Sequence, residues 1–160
     1  MTGDKIQCGG LIVREGLFLV EVIGYVWRPG ESCGILAKFA KAGVSLAFLN
    51  ISNESNGRKS MAFCLPTEMR NRCTALVDEV RAQFTPERVD VHEQMTILTL
   101  YGPHFYEKVG LSSEFYSVLC RAHINPMAVG SSVNSISAVL SVADAESTRV
   151  ALKERFDWPE

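Results

Sequence analysis

Hydrophobic and polar positions change period several times along the chain, and the order of those changes occurs twice. Phe18, Val20, Val22 and Val26 alternate as in a strand, while Leu17, Leu19 and Ile23 make the second face apolar as well. This pattern predicts a central strand over 17–26, covered on both sides. Ile35, Leu36 and Phe39 then recur at helical spacing, giving one apolar stripe for a sheet to cover. Two β-rich runs, 46–52 and 59–65, flank Asn56-Gly57 and predict a hairpin. Thr67 is placed to cap a following helix whose Met69, Cys73, Leu76, Val77, Val80 and Phe84 lie on one face, and Pro86 ends it. Residues 88–92 supply a further strand.

From residue 96 the same order returns. A strand over 96–101 precedes Gly110, and Leu111, Phe115, Val118 and Leu119 form a helical stripe. A hairpin is predicted from 128–133 and 135–142 around Asn134, with Asp144 capping a last helix that carries Thr148, Ala151, Leu152 and Phe156. Pro159 lies past its end, and no closing strand is expected. The segments from Gly30 to Ser45 and from Gly110 to Asn125 have equal length and are offset by 80 residues, half the chain. Such self-similarity sets the architecture: β-α-β-β-α, twice.

One strand is left over, 6–13, followed by an expected turn at Arg14-Glu15-Gly16. A second unit with only three strands would leave an edge unpaired, and the spare strand is the one available to fill it. The expected fold is α/β (α+β): two ferredoxin-like units with antiparallel sheets and helices on one face. The first unit covers 17–93 and the second 94–157, completed by strand 5–14.

Composition narrows the function classes. Of 160 residues 47% are hydrophobic and 21% charged, enough apolar material for a packed core. The net charge of −2 offers no electropositive surface for a phosphate backbone, so no nucleic acid is expected as partner. Cysteines 8, 33, 64, 73 and 120 include no pair at zinc-ribbon or redox spacing and read as reduced, mostly buried thiols in a cytoplasmic protein. The apolar stretch 17–27 is too short for a bilayer and carries Glu21, so no membrane segment is expected.

Catalytic signatures are missing. His92, His104 and His123 lie in three different elements without a second imidazole at i+3 or i+4, so no metal site is expected. Cys33, near the first turn of a predicted helix, reads as a small apolar residue rather than a nucleophile. No Gly-x-Ser-x-Gly elbow, Walker A loop or dinucleotide fingerprint occurs, and no cofactor is expected. The strands that would face RNA in a recognition module, 59–65 and 135–141, lack its basic and aromatic pattern, and the loop from Trp27 to Cys33 lacks the CxxC of metal chaperones. That loop runs through Pro29 and Gly30 into a helix, whose unpaired N–H groups favour a carboxylate or other small anion.

The doubled β-α-β-β-α-β order, with Gly at the start of each first helix, resembles a tandem pair of ACT domains, and more narrowly the regulatory region of monofunctional aspartokinases. The likeness is most specific from Gly110 to Asn125, at Ser131-Ser132, and from Ile136 through Leu140 to Asp144-Ala145-Glu146, and it extends from about Ile6 to Phe156. It implies a non-catalytic regulator that binds an amino-acid effector at an ACT–ACT interface, forms a homodimer through ACT contacts, and acts on a separate enzyme subunit. The 160 residues are taken up by the two units, so no kinase domain is expected among them.

Carried onto this chain, the family's ligand loop is Trp27, Arg28, Pro29, Gly30, Glu31 and Ser32 in the first unit, with Ser45 where the family tends to have Asn. In the second it is Tyr106, Glu107, Lys108 and Gly110, with Asn125, Ser131 and Ser132. Trp27 replaces a common Asp, and Val109 a common Pro. The resemblance implies a ligand carboxylate over a first-helix N-terminus, near Gly30–Ser32 or Gly110–Ser112, and an ammonium at Glu31 or Glu107. The other reading is a ligand-free interaction module in which Trp27 plugs the first loop.

Overall fold

The computed structural model describes residues 4–29 and 31–159, with the side chains of Glu31 and Ser32 also outside the description. The elements in chain order are β1 (Ile6–Gln7), β2 (Gly10–Tyr25), α1 (Glu31–Lys41), β3 (Phe48–Asn53), β4 (Lys59–Pro66), α2 (Arg70–Phe84), β5 (Arg88–Tyr101), α3 (Leu111–Arg121), β6 (Ala128–Ser131), β7 (Ser135–Ser141), α4 (Val142–Arg155) and β8 (Phe156–Asp157). They form two compact units, a contiguous one over Gly16–Gln94 and a split one made of the residues up to Glu15 and those from Met95 onward.

In the contiguous unit the strand order is β3-β4-β2-β5, with 16–25 of β2 and 88–94 of β5 taking part. The first strand in sequence is therefore internal and the last is its neighbour, the order of a ferredoxin-like sheet. β4 pairs antiparallel with both β2 and β3, Val20 opposite Phe63 and Leu49 opposite the same Phe63. Phe18, Val20 and Val22 point toward α1 and α2, where Ile35, Phe39, Cys73, Val77 and Val80 meet them in one buried cluster. Phe39 and Phe63 pack edge to face with ring centres 5.0 Å apart. Leu17, Leu19 and Cys64 on the alternate face are buried too.

The split unit repeats the plan with one change. Its sheet runs β2-β5-β7-β6, so 10–15 from the start of the chain occupies the place that a fourth strand after α4 would take. Its core gathers Leu98, Leu100, Phe115, Val118, Leu119, Ile136, Leu140, Leu152 and Phe156. The repeat extends to backbone detail. α1 and α3 both end with a left-handed residue, Gly43 at φ 72° and His123 at φ 55°. Each is followed by an N–H reaching five residues back, Val44 to Phe39 at 3.0 Å and Ile124 to Leu119 at 2.9 Å. These are equivalent Schellman closures 80 positions apart.

Several expected boundaries are corrected. No turn forms at 14–16: β2 is one strand of 16 residues in which Gly16 takes φ 69° without ending the ladder. The expected strands 88–92 and 96–101 are likewise one strand of 14 residues. The expected first strand 6–13 divides into β1 and the start of β2. A closing strand does follow α4, since β8 pairs in parallel with β1, Ile6 opposite Phe156. The caps move as well. Thr67 opens a 3-10 turn (Thr67–Met69), and the cap position of α2 falls on Met69, which makes no side-chain cap bond. Ser141, not Asp144, caps α4, one turn earlier than the apolar pattern suggested: its Oγ accepts from the Asp144 N–H at 3.2 Å and donates to Asp144 Oδ2 at 2.8 Å. Only Cys64 and Cys73 are buried, while Cys33 and Cys120 are exposed. Among the described residues no helix is long and apolar enough to cross a membrane.

Candidate functional site

Each unit presents a loop from its first strand into its first helix, and the two loops have diverged. In the contiguous unit the end of β2 is re-aimed by a bulge between Val22 and Tyr25, with Gly24 at φ 66°. The bulge is fastened from several sides. Gly24 N–H donates to Ser60 Oγ at 3.2 Å, Arg58 Nη1 donates to Gly24 O at 2.5 Å, and Arg58 Nε lies 3.3 Å from Glu87 Oε1. Ser60 in turn donates to Glu54. Beyond it Trp27, Arg28 and Pro29 are exposed. Trp27 does not plug a cavity: 46% of it faces solvent, and Lys59 Nζ stands 5.3 Å from its ring centre in a cation–π arrangement. Gly30 and the side chains of Glu31 and Ser32 lie outside the described residues, and Ser45 is exposed just past α1.

The split unit brings its loop residues together. After Tyr101, Gly102 N–H donates to Asn134 O at 2.9 Å, and a 3-10 turn, Phe105–Glu107, drops the buried Phe105 into the core. Lys108 N–H closes that turn on Phe105 O at 3.1 Å. Gly110, at φ 82° and ψ 5°, then starts α3 with no side-chain cap, so the first-turn N–H groups have neither an intrahelical acceptor nor a capping hydroxyl from that position. Across from them the β6–β7 hairpin carries Ser131 at the end of β6, Ser132 in the turn and Ser135 at the start of β7, with Ser132 Oγ 2.8 Å from Ser135 Oγ.

The result is an open cavity of about 250 Å³ lined by Tyr106, Lys108, Gly110, Ser131 and Ser132, together with Phe105, Leu111, Ser112, Ser113, Ser135 and Ile136. Its apolar floor and hydroxyl-rich walls suit one small polar molecule, and its volume is below the roughly 300–1,000 Å³ of drug-sized pockets. The helix terminus and Lys108 make it electropositive.

Lys108 also links the cavity to the strand pair at the chain's start, since its Nζ donates to Gln7 O at 2.9 Å. On the far side of Lys108 a second cavity of about 300 Å³ is lined by Cys8, Gly9, Gly102, Pro103 and His104. Burial pushes the Cys8 thiol up to about 11, which leaves it protonated and unreactive at neutral pH.

Two expected ligand residues are not among those lining the cavity. Glu107 is exposed, accepts from the Tyr106 hydroxyl, and lies 3.3 Å from His104 Nδ1; the Tyr106 contact first and His104 second hold its carboxyl below the usual range. Asn125 is exposed beyond the α3 closure and does not line the cavity. Ser112, expected at the helix start, lines it, and so do Ser113 and Ser135, which were not anticipated. Ser112 is the counterpart of Ser32 at the 80-residue offset. Ser135 depended on hairpin register.

The comparisons bear on the whole chain. No protein-family model matches it. It is 25% identical over 148 residues to a bifunctional aspartokinase/homoserine dehydrogenase of Haemophilus influenzae, a match covering 88% of this chain and 18% of that relative. The chain thus spans less than a fifth of that protein's length. The ligand-free regulatory subunit of aspartate kinase from Thermus thermophilus superposes with a TM-score of 0.83 at 15% identity, covering 94% of this chain and 99% of that one. Aspartokinase III of E. coli, solved with lysine and aspartate, superposes with a TM-score of 0.71 at 20% identity, covering 98% of this chain and 35% of that one. The chain has the ACT-domain fold of aspartate kinase regulatory regions.

Proposed function

We propose that this protein is a non-catalytic regulatory unit that binds a free amino acid in the cavity at the start of α3 and transmits its occupancy to an aspartokinase-type enzyme. The observation that carries the reading is the convergence of Lys108, an uncapped helix start at Gly110 and the hydroxyls of Ser131 and Ser132 on one 250 Å³ cavity. The ligand carboxylate takes the N–H groups of Ser112 and Ser113, with Lys108 beside them. The ammonium is accepted by hydroxyl oxygens of the opposite wall and by Glu107 at the rim. Two features support a further partner at this place: Val109 is fully exposed, and Tyr106 is 66% exposed, at the mouth of the cavity. We assign these two side chains to the contact with a second copy of the chain. The fold likeness to a free-standing regulatory subunit supports action on a separate enzyme chain.

A thermal-shift screen of the twenty amino acids tests the reading. A true effector at a hundredfold excess over its dissociation constant adds about 2.7 kcal/mol. For a chain of this size that is a rise of several degrees. The shift is expected to vanish in Lys108→Met and to weaken in Glu107→Ala. Twenty flat curves from well-folded protein would refute effector binding and leave an interaction module.

A further inference from the structure

The contiguous unit holds a cluster that the amino-acid reading does not use. Val20, Val22, Val89 and Val91 pack into the core under α1 and α2, so the residues between them on β2 and β5 point to the opposite face of the sheet. There Glu21, Asp90 and His92 each place one ligating atom so that all three lie within 4.8 Å of one another. His92 Nε2 is 2.8 Å from Glu21 Oε2, with side chains 35% and 24% exposed. Asp90 is held from its outer side by Arg88 Nε at 2.5 Å and keeps a second carboxylate oxygen.

We propose that Glu21, Asp90 and His92 form a divalent-cation site, with Zn²⁺ the best fit, that braces β2 against β5. One imidazole nitrogen with two carboxylate oxygens is a ligand set that zinc accepts, and three protein ligands leave a position open for water. Bonds of about 2.0–2.2 Å at tetrahedral angles put ligand atoms roughly 3.4 Å apart. Set against that value, the His92–Glu21 pair at 2.8 Å opens by about half an ångström, and the other pairs start within 4.8 Å. Side-chain rotation makes these adjustments on a backbone that pairing already fixes. Two carboxylates facing each other on a half-buried surface need a counter-charge, and Arg88 reaches only Asp90. No linear motif reveals this set, because Glu21 and His92 are 71 residues apart.

The test is titration of the full chain with Zn²⁺ by calorimetry, with Co²⁺ as a spectroscopic probe. One equivalent is expected to bind, with affinity lowered at least tenfold in each of Glu21→Gln, Asp90→Asn and His92→Gln. The Co²⁺ complex is expected to show ligand-field bands of an N/O set without thiolate charge transfer. Unchanged affinity in variants whose circular dichroism matches the parent, a thiolate band assigning the metal to cysteine, or no binding to the parent would each overturn the proposal.

Discussion

Replacing Gly24 with Ala tests whether the bulge at the end of β2 is as tightly constrained as its contacts indicate. Gly24 has φ 66°, and a Cβ there would stand 2.6 Å from Glu87 Cδ and 2.7 Å from Glu87 Oε2. Gly16 is the control: φ is 69°, and nothing lies within 4 Å of the added carbon. A left-handed L-residue costs about 1–2 kcal/mol, from which the lost chain entropy of the unfolded glycine returns about 0.4–1. Gly16→Ala is therefore expected to cost about 1 kcal/mol. Gly24→Ala adds the displacement of Glu87, which ends its pairing with Arg58 at 3.3 Å. That pair is half-exposed and worth at most about 1 kcal/mol. Any backbone shift also lengthens the Gly24 N–H bond to Ser60, a net term of about 1 kcal/mol. The expected total is about 2–3 kcal/mol, read as a lower urea midpoint at unchanged slope. Equal losses in the two variants would show that the Glu87 contact is relieved without cost and that the bulge is not fastened as described.

Two further outcomes are expected. Glu114 is paired with Arg155 Nε at 2.9 Å, and that hydrogen bond holds its carboxyl below the ordinary 4.5. A lowered folded-state value contributes stability above about pH 4.5 that disappears as pH falls through the folded value. The stability gap between the parent and Glu114→Gln is therefore expected to be present at pH 7 and to shrink as pH falls below 4.5; a gap that does not change with pH across the acid range would refute the assignment. If a second copy covers Tyr106 and Val109, light scattering gives twice the 17.7 kDa protomer mass at micromolar concentration, and Val109→Asp lowers it toward the protomer. A protomer-sized particle from the parent would overturn that assembly.

The fold class was legible because apolar period and repeat length are properties of the chain itself. Phe18, Val20 and Val22 alternate because alternate residues of a strand face one core, and Phe115, Val118 and Leu119 recur because a helix has one buried stripe. Boundaries were less legible for physical reasons. Gly16 looks like a turn residue, yet its left-handed φ is absorbed within a strand whose neighbours continue the ladder. The turn of Thr67 and the cap of Ser141 depend on where the preceding strand releases the backbone, which tertiary pairing decides. The candidate cavity was legible only where it is local. Tyr106, Lys108 and Gly110 follow from the strand-to-helix passage, whereas Ser113 and Ser135 join through the facing of α3 and the β6–β7 hairpin.

The two loops show how a repeated scaffold separates fold from site. Their helices close alike, Gly43 and His123 standing 80 residues apart in one conformation, so the backbone frame has been kept. The side chains on that frame have not. Lys108 follows a 3-10 turn anchored by Phe105, lines the serine-walled cavity and donates its ammonium to Gln7 O. Trp27 follows a glycine bulge and carries its cation, Lys59, stacked on the ring, where it serves the indole rather than a cavity. A frame held by buried residues such as Phe39 and Leu119 constrains the direction of the chain but not the chemistry of exposed loop positions. Exposed loop positions can therefore differ between the two units while both cores stay intact and share one architecture.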